Sequence, residues 1–234
     1  YVLKEGRPVG LVRGLTADGF YTTDDFTYAN GVYTLKEGVA DVSSAVFPNY
    51  HLHNGMNERP AGQLAYPGMA KFKDLNDDGI INDDDVDVIG DMTPVHTGGF
   101  NINATYKNFD LGLYFNWSYG NEIYNVNKLA ALYGYKEGAV YENKLSIVKD
   151  CYKIYDVVNG ELVALTTPEQ LNAANANAKL PLAYSENGYV STLGIEDGSY
   201  LRLNTLTLGY TLPKSMLQKA GISNLRVYGS IYNV

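Results

Sequence analysis

Between Phe100 and Trp117 apolar and polar residues alternate with a period of two, break for a tight turn at Lys107-Asn108, and alternate again. Only an extended chain puts every second side chain on one face, so this stretch reads as a β-hairpin. With a two-residue loop at Lys107-Asn108, and Asn at a position that tolerates positive φ, Tyr106 faces Phe109, Ala104 faces Leu111, Ile102 faces Leu113 and Phe100 faces Phe115. One face is then wholly apolar. The other carries Asn101, Asn103, Thr105, Asp110, Gly112, Tyr114 and Asn116, and expects water or a polar interior. Each arm approaches the roughly 9 to 11 residues that a tilted strand needs to cross a bilayer. A soluble sheet with one wet face gives the same pattern.

A second strand pair is expected nearer the C-terminus. Ser199 to Thr211 leads into Leu212-Pro213 and a short helical turn near Lys214 to Ala220, with Gly221 suited to a helix C-cap. Leu225 to Val234 resumes as a strand in which Leu225, Val227, Gly229 and Ile231 alternate with Arg226, Tyr228 and Ser230. In the strand before it, Leu201 and Leu203 share one phase, whereas Leu206, Leu208 and Tyr210 share the other. A bulge near Asn204-Thr205 reconciles them.

The links at Lys107-Asn108 and at Pro213 to Asn224 are short, while about 80 residues separate the strand ending near Trp117 from the one starting near Ser199, far more than compact domains use between strands. Short turns at one end and long connections at the other are the arrangement of outer-membrane barrels. Within the long connection, 121–198, helix-compatible runs occur at Lys128 to Leu132 and Asn143 to Lys149. Thr167-Pro168-Glu169-Gln170 resembles a helix start that the Ala/Asn run at 173–178 continues. The first hundred residues are punctuated by glycines, with Gly19 to Thr23 and Val32 to Leu35 reading as short strands.

The motif richest in chemistry is Asp-Leu-Asn-Asp-Asp-Gly-Ile-Ile-Asn-Asp-Asp-Asp at 74–85. Numbered as a twelve-residue calcium loop, it puts Asp74, Asn76 and Asp78 at positions 1, 3 and 5, Gly79 at 6, the Ile80 carbonyl at 7, Asn82 at 9 and Asp85 at 12. A hard cation takes about 6 to 8 oxygens, alternate loop residues present them, and glycine takes the bend. Asp rather than Glu at position 12 resembles dockerin-type loops and shortens the reach. Ile81 is expected to anchor the loop by packing inward. The other reading is a solvated acidic turn. A structural Ca2+ would neutralise part of the acidic run of Asp74, Asp77, Asp78, Asp83, Asp84, Asp85 and Asp87 and so order the loop.

Composition narrows the function classes. The 234 residues are 45% hydrophobic and 19% charged, and Tyr outnumbers Phe by 21 to 7, a balance that excludes ordinary disorder. A net charge of −8 argues against nucleic-acid binding, which needs a basic surface. Cys151 stands alone, so there is no disulfide framework and no CxxC site. No apolar run is long enough for a membrane helix; any crossing is by strands. His51 and His53 share a face if extended but have no third ligand, and read as exposed loop histidines. Asp24-Asp25, Glu137, Glu142 and Glu196-Asp197 offer carboxylates without the fixed separation that glycoside hydrolysis needs. No GxSxG, HExxH, P-loop or GxGxxG occurs, and the chain reads as a non-enzyme. It opens without Met and stops within a strand at Tyr232-Asn233-Val234, as a piece of a longer protein would.

Several segments together resemble the late barrel region of SusC/RagA-type TonB-dependent outer-membrane transporters of Bacteroidota. They are Gly6-Arg7-Pro8-Val9-Gly10 with Asp18-Gly19-Phe20, Tyr66-Pro67-Gly68-Met69-Ala70-Lys71-Phe72-Lys73-Asp74 running into the calcium-type loop, Val88-Ile89-Gly90-Asp91, Gly98-Gly99-Phe100 and Tyr106-Lys107-Asn108-Phe109-Asp110-Leu111. Asp197 to Leu203, Leu208 to Pro213 and Gly221 to Tyr228 continue the series. The resemblance implies an all-β fold, an antiparallel transmembrane β-barrel segment, part of 22 strands, with residues 1–234 as its C-terminal part and 121–198 as a long extracellular loop. It implies import of oligosaccharides or peptides, powered by the TonB complex and capped by a SusD-like surface lipoprotein, in the outer membrane. The plug domain and the last strand would lie outside this sequence. The alternatives are a soluble, secreted β-rich binding module with a structural calcium site, and a surface adhesin.

Overall fold

The computed structural model describes residues 5–6, 8–44, 46, 59–133, 145–182, 190–218 and 221–233. His51, His53, Glu137 and Glu142 lie outside the described residues. So do 143–144 and 219–220 of the expected helical turns, Arg7, and Val234. In chain order the strands are β1 (Leu11–Gly14), β2 (Ala17–Phe20), β3 (Phe26–Ala29), β4 (Val32–Leu35), β5 (Asp41–Val42), β6 (Ala70–Phe72), β7 (Ile80–Ile81), β8 (Asp87–Asp91), β9 (His96–Tyr106), β10 (Phe109–Tyr119) and β11 (Glu122–Tyr124). Helix α1 (Val126–Tyr133) follows, then β12 (Tyr155–Val158), β13 (Glu161–Ala164), α2 (Pro168–Asn175), β14 (Ile195–Asp197), β15 (Tyr200–Thr211), the short α3 (Lys214–Leu217) and β16 (Arg226–Tyr232). Two compact units emerge, one made of 1–90 with 124–195 and the other of 91–123 with 196–234.

The first unit holds a conventional core. Tyr21, Phe26, Tyr33, Tyr66, Met69, Phe72 and Ile81 from the N-terminal part share it with Tyr152, Ile154, Leu165, Leu171 and Leu182 from the long connection. That connection, expected as a loop, therefore supplies core residues of its own. The small sheets of the first unit include β1–β8, β2–β6, β3–β4, β12–β13 and the parallel pair β5–β7. The β3–β4 and β12–β13 hairpins turn on Asn30-Gly31 and Asn159-Gly160, all four at positive φ, as the tight turns that match strand twist require. Some buried polar groups are bonded locally, whereas the Ser43 and Ser191 hydroxyls are buried with no hydrogen-bond partner among the described residues. Asp41 accepts the N–H groups of Val42, Leu64 and Ala65, and the Tyr21 hydroxyl donates to the Ala40 carbonyl at 2.6 Å. Helix α2 starts as expected, Thr167 and Gln170 forming a reciprocal capping box. It ends at Asn175 rather than running to 178, where the Asn175 side chain donates to the Lys153 and Leu171 carbonyls.

The second unit is a four-stranded antiparallel sheet in the order β16-β15-β10-β9. The β9–β10 register pairs Tyr106 with Phe109, Ala104 with Leu111, Ile102 with Leu113 and Phe100 with Phe115, as the alternation predicts. The turn differs in one detail: positive φ falls on Lys107, at 54°, and not on Asn108. Between β10 and β15 the register steps from Tyr114↔Thr205 to Phe115↔Leu203. Asn204 is thus the extra residue of the expected bulge, and it restores Leu201 and Leu203 to the face of Leu206 and Leu208. After α3, Gly221 takes φ 65°, and the N–H of Ile222 closes onto the Leu217 carbonyl, ending the turn as a C-cap.

Candidate functional site

Two features carry chemistry: the faces of the four-stranded sheet, and the loop at 74–85. On the apolar face, rows from His96 to Tyr106, Phe109 to Tyr119, Leu201 to Tyr210 and Val227 to Ile231 align by register. Along these rows Leu111, Leu113 and Phe115 are half-buried, while Phe100, Ile102 and Leu208 are exposed. Leu201 is 66% exposed and Ile231 59%, and Leu217 is the sole buried large apolar residue of this unit among the described residues. Aromatic rings mark both ends of the face. At one end the Trp117 indole lies over Gly98, where an added Cβ would sit 2.3 Å from the ring. Its Nε1 donates to His96 Nδ1 at 3.0 Å, and His96 stacks on Tyr119. At the other end are Tyr106 and the Phe109–Tyr210 pair, with ring centroids 4.6 Å apart. Strand β9 has 11 residues, so its ends are about 34 Å apart at 3.4 Å per residue. Tilted by about 40° it rises about 26 Å, against an apolar band of about 25 Å in membrane barrels.

The opposite face is polar and carries two cross-strand side-chain pairs, while the Asn116 amide oxygen is buried with no partner among the described residues. Arg226 on β16 reaches across β15 to Asp110 on β10, with Nε donating to Oδ1 at 2.9 Å. The crossing is possible because β15 has Gly209 between them; a Cβ there would stand 2.5 Å from both Asp110 oxygens. Thr207 and Ser230 hydroxyls bond at 2.9 Å. A shallow hollow of about 300 Å³ opens where Gly112 lacks a side chain, edged by Asn101, Asn103, Tyr114, Thr205 and Thr207.

In the loop, β6 leads in and β7 leads out, stitched to β5 by Asp41 N–H to the Gly79 carbonyl at 2.9 Å and Ser43 N–H to the Ile81 carbonyl at 3.0 Å. Ile81 is fully buried and anchors the loop. Asp77 and Gly79 turn the chain at φ 59° and 84°. Asp74 accepts the N–H groups of Asp78 and Gly79 at 3.3 and 2.8 Å, Asn76 Oδ1 accepts Asp78 N–H at 3.0 Å, and Asp78 Oδ1 accepts Ile80 N–H at 2.8 Å. Asn82 Oδ1 caps the following turn at Asp84 N–H, and its Nδ2 donates to the Ile80 carbonyl. Asp85 is fully buried, its two oxygens taking the N–H groups of Leu75 and Asn82 at 2.7 and 2.8 Å. One loop thus gathers carboxylate, amide and carbonyl oxygens, the donor set of a hard cation. Among the described residues no three His, Cys, Asp or Glu side chains converge by themselves, so the amide oxygens of Asn76 and Asn82 and the Ile80 carbonyl belong to any such set.

Two of the other carboxylates singled out in the sequence are engaged. Asp25 pairs with Lys71 at 2.9 Å and accepts from Thr22, and Asp197 accepts Ser199 N–H. Cys151 is buried and free. Pattern reading missed Asp41, whose role depends on backbone contributed by residues 64–65. It also missed the Asp110–Gly209–Arg226 crossing, which joins three strands and leaves no local trace.

No protein-family model matches the chain. TonB-dependent receptor P3 of Formosa agariphila is 30% identical over the whole chain, which spans 18% of that receptor. TonB-dependent receptor P26 of the same organism is 31% identical over 69% of the chain, corresponding to 14% of the receptor. Among solved structures, the RagAB peptide importer in its closed-closed state matches 94% of the chain and 18% of its own, with a TM-score of 0.55 and 19% identity. A second RagAB peptide transporter structure matches 95% of the chain at a TM-score of 0.54 and 18% identity. The sequence relatives are receptors rather than enzymes, and the fold is that of a stretch of a RagA-type chain. The chain spans between 14% and 22% of the length of the curated relatives it matches.

Proposed function

We propose that this chain, similar throughout to SusC/RagA-type TonB-dependent receptors, forms part of the wall and outer loops of an outer-membrane importer of oligosaccharides or peptides. The observation that carries the reading is the two-faced sheet. Its apolar face is exposed over much of its area, rimmed by aromatic rings and of bilayer height, which suits lipid. Its polar face is crossed by the Arg226–Asp110 and Thr207–Ser230 bonds, which suits a lumen. Transport is then gated passage without covalent chemistry, so no catalytic residue is assigned. The long connections leave the sheet at the Trp117 end, which on this reading is the extracellular side. There they would meet a SusD-like lipoprotein lid, while TonB acts through a plug domain encoded elsewhere in the polypeptide. The test is extraction of the native polypeptide from membranes. Expected are dependence on detergent, slower migration on gels after heating, and an intact mass several times 25.7 kDa. A soluble, folded 25.7 kDa species would overturn the reading in favour of a secreted binding module.

We further propose that residues 74–85 hold a structural Ca2+, with Asp74, Asn76, Asp78, the Ile80 carbonyl, Asn82 and Asp85 as ligands. The ion would supply charge neutralisation. The support is the matched donor set and the buried Asp85 carboxylate, since a buried anion is costly without a counter-charge. Calcium at a hundredfold excess over Kd should stabilise the first unit by about 2.7 kcal/mol, read as a later thermal midpoint that a chelator reverses. Asp78→Ala should abolish the shift and Asp84→Ala should keep it. An equal response in both variants sinks the assignment.

A further inference from the structure

Beside the loop, within the first unit, lies a cleft of about 590 Å³ lined among others by Asp18, Val39, Lys71, Lys73, Leu75 and Asp77, a size usual for small-ligand sites. Its charges sort into engaged and free. Lys71 is held by Asp25, and the Asp74 oxygens by loop N–H groups. Asp18, Lys73 and Asp77 are exposed and, among the described residues, form no ion pair. Val39 and Leu75 add aliphatic surface, whereas the ring of Phe72, also in the lining, is buried. Among the described residues the cleft therefore offers two carboxylates and one ammonium outside any ion pair, with an apolar patch and no exposed Phe72 ring face for stacking.

We propose that this cleft binds a short peptide by its free ends, the peptide ammonium on Asp18 and Asp77, its carboxylate on Lys73, and an aliphatic side chain against Val39 and Leu75. A neutral sugar would desolvate these charges without returning a counter-charge, which is unfavourable. A peptide with free ends returns one charge of each sign, and its amides add donors and acceptors. The inference goes beyond the transport reading. It rests on the calcium-loop reading only in that Asp77 belongs to that loop.

The test is calorimetric titration of Ala-Leu-Ala into the intact polypeptide carrying this sequence, with calcium present. Saturable binding is expected, and the N-acetylated, C-amidated peptide should bind about tenfold more weakly, a difference of about 1.4 kcal/mol. Lys73→Met and Asp18→Asn should each weaken the free peptide about fivefold, since each removes one charge-assisted contact at an exposed, solvent-screened site. Failure of Ala-Leu-Ala to bind, equal binding of the capped peptide, unchanged binding in the Asp18→Asn/Lys73→Met pair, or preference for maltotriose overturns the proposal. Calcium titration of the same samples reads the loop separately: calcium without peptide leaves the loop reading standing, and peptide without calcium leaves the cleft.

Discussion

In residues 1–90 with 124–195, the side chains of Tyr21, Tyr33, Tyr66, Met69, Phe72 and Leu171 are at most 2% exposed. In residues 91–123 with 196–234, Phe100, Ile102, Leu201, Leu208 and Ile231 are each more than 40% exposed. Both regions are built from short or long strands of ordinary β-propensity, so propensity does not separate them. What separates them is the medium each is shaped to meet. The first unit withdraws apolar surface from water into its own core, the usual source of stability. The second leaves much of its apolar face exposed and crosses its polar face with the Arg226–Asp110 and Thr207–Ser230 bonds, an arrangement that, on the proposed reading, suits lipid on the apolar side.

The largest expected effect breaks the first side of this comparison. Phe72→Ala, in the core of the first unit, should cost about 3–5 kcal/mol, read as a lowered denaturation midpoint, with the sheet's tryptophan signal from Trp117 unchanged. Next, Leu113→Arg on the apolar face should cost about 2–4 kcal/mol in micelles or vesicles, while Thr207→Arg on the polar face should cost much less. Equal costs would mean that the two faces meet the same medium. A smaller effect tests the crossing pair. Gly209→Ala would push a methyl into Asp110 and Arg226 and should cost about 1–3 kcal/mol, whereas Gly229→Ala has open space and should be near neutral.

The smallest and most graded effect in the first unit is with pH. Burial opposes ionisation of Asp25, but bonds from Lys71 and Thr22 more than offset it and hold its carboxyl below the ordinary range. Its folded pKa is depressed, so its contribution is present above about pH 4 and fades as pH falls through the lower folded value. Burial, reinforced by Asp41 and Asp25, pushes the Tyr21 phenol far above its ordinary value, and burial does the same for Tyr33. Their folded pKa values are raised, so that contribution is complete below about pH 10 and lost above it. Thermal midpoints between acid and alkali should therefore fall at both ends. A flat profile would contradict the burial of these groups.

Period-two alternation determined the β9–β10 register, the two faces of the sheet and the bulge at Asn204, because side-chain direction in a strand follows from backbone geometry alone. The spacing of Asp74, Asn76, Asp78, Asn82 and Asp85 likewise stood in the sequence, as did the Thr167 cap. Asn30-Gly31 and Asn159-Gly160 carried a readable hairpin signal that the alternation argument did not use, because those strands are short and their patterns weak. Other features rest on contacts between residues distant in sequence. Tyr33 donates to the Thr166 carbonyl, Thr23 to Asn172, and Arg226 reaches Asp110 over Gly209. Whether 124–195 was loop or core, and which carboxylates were engaged, was decided by the tertiary structure. Periodicity records which way a side chain points, whereas what it meets there depends on chain that arrives from elsewhere.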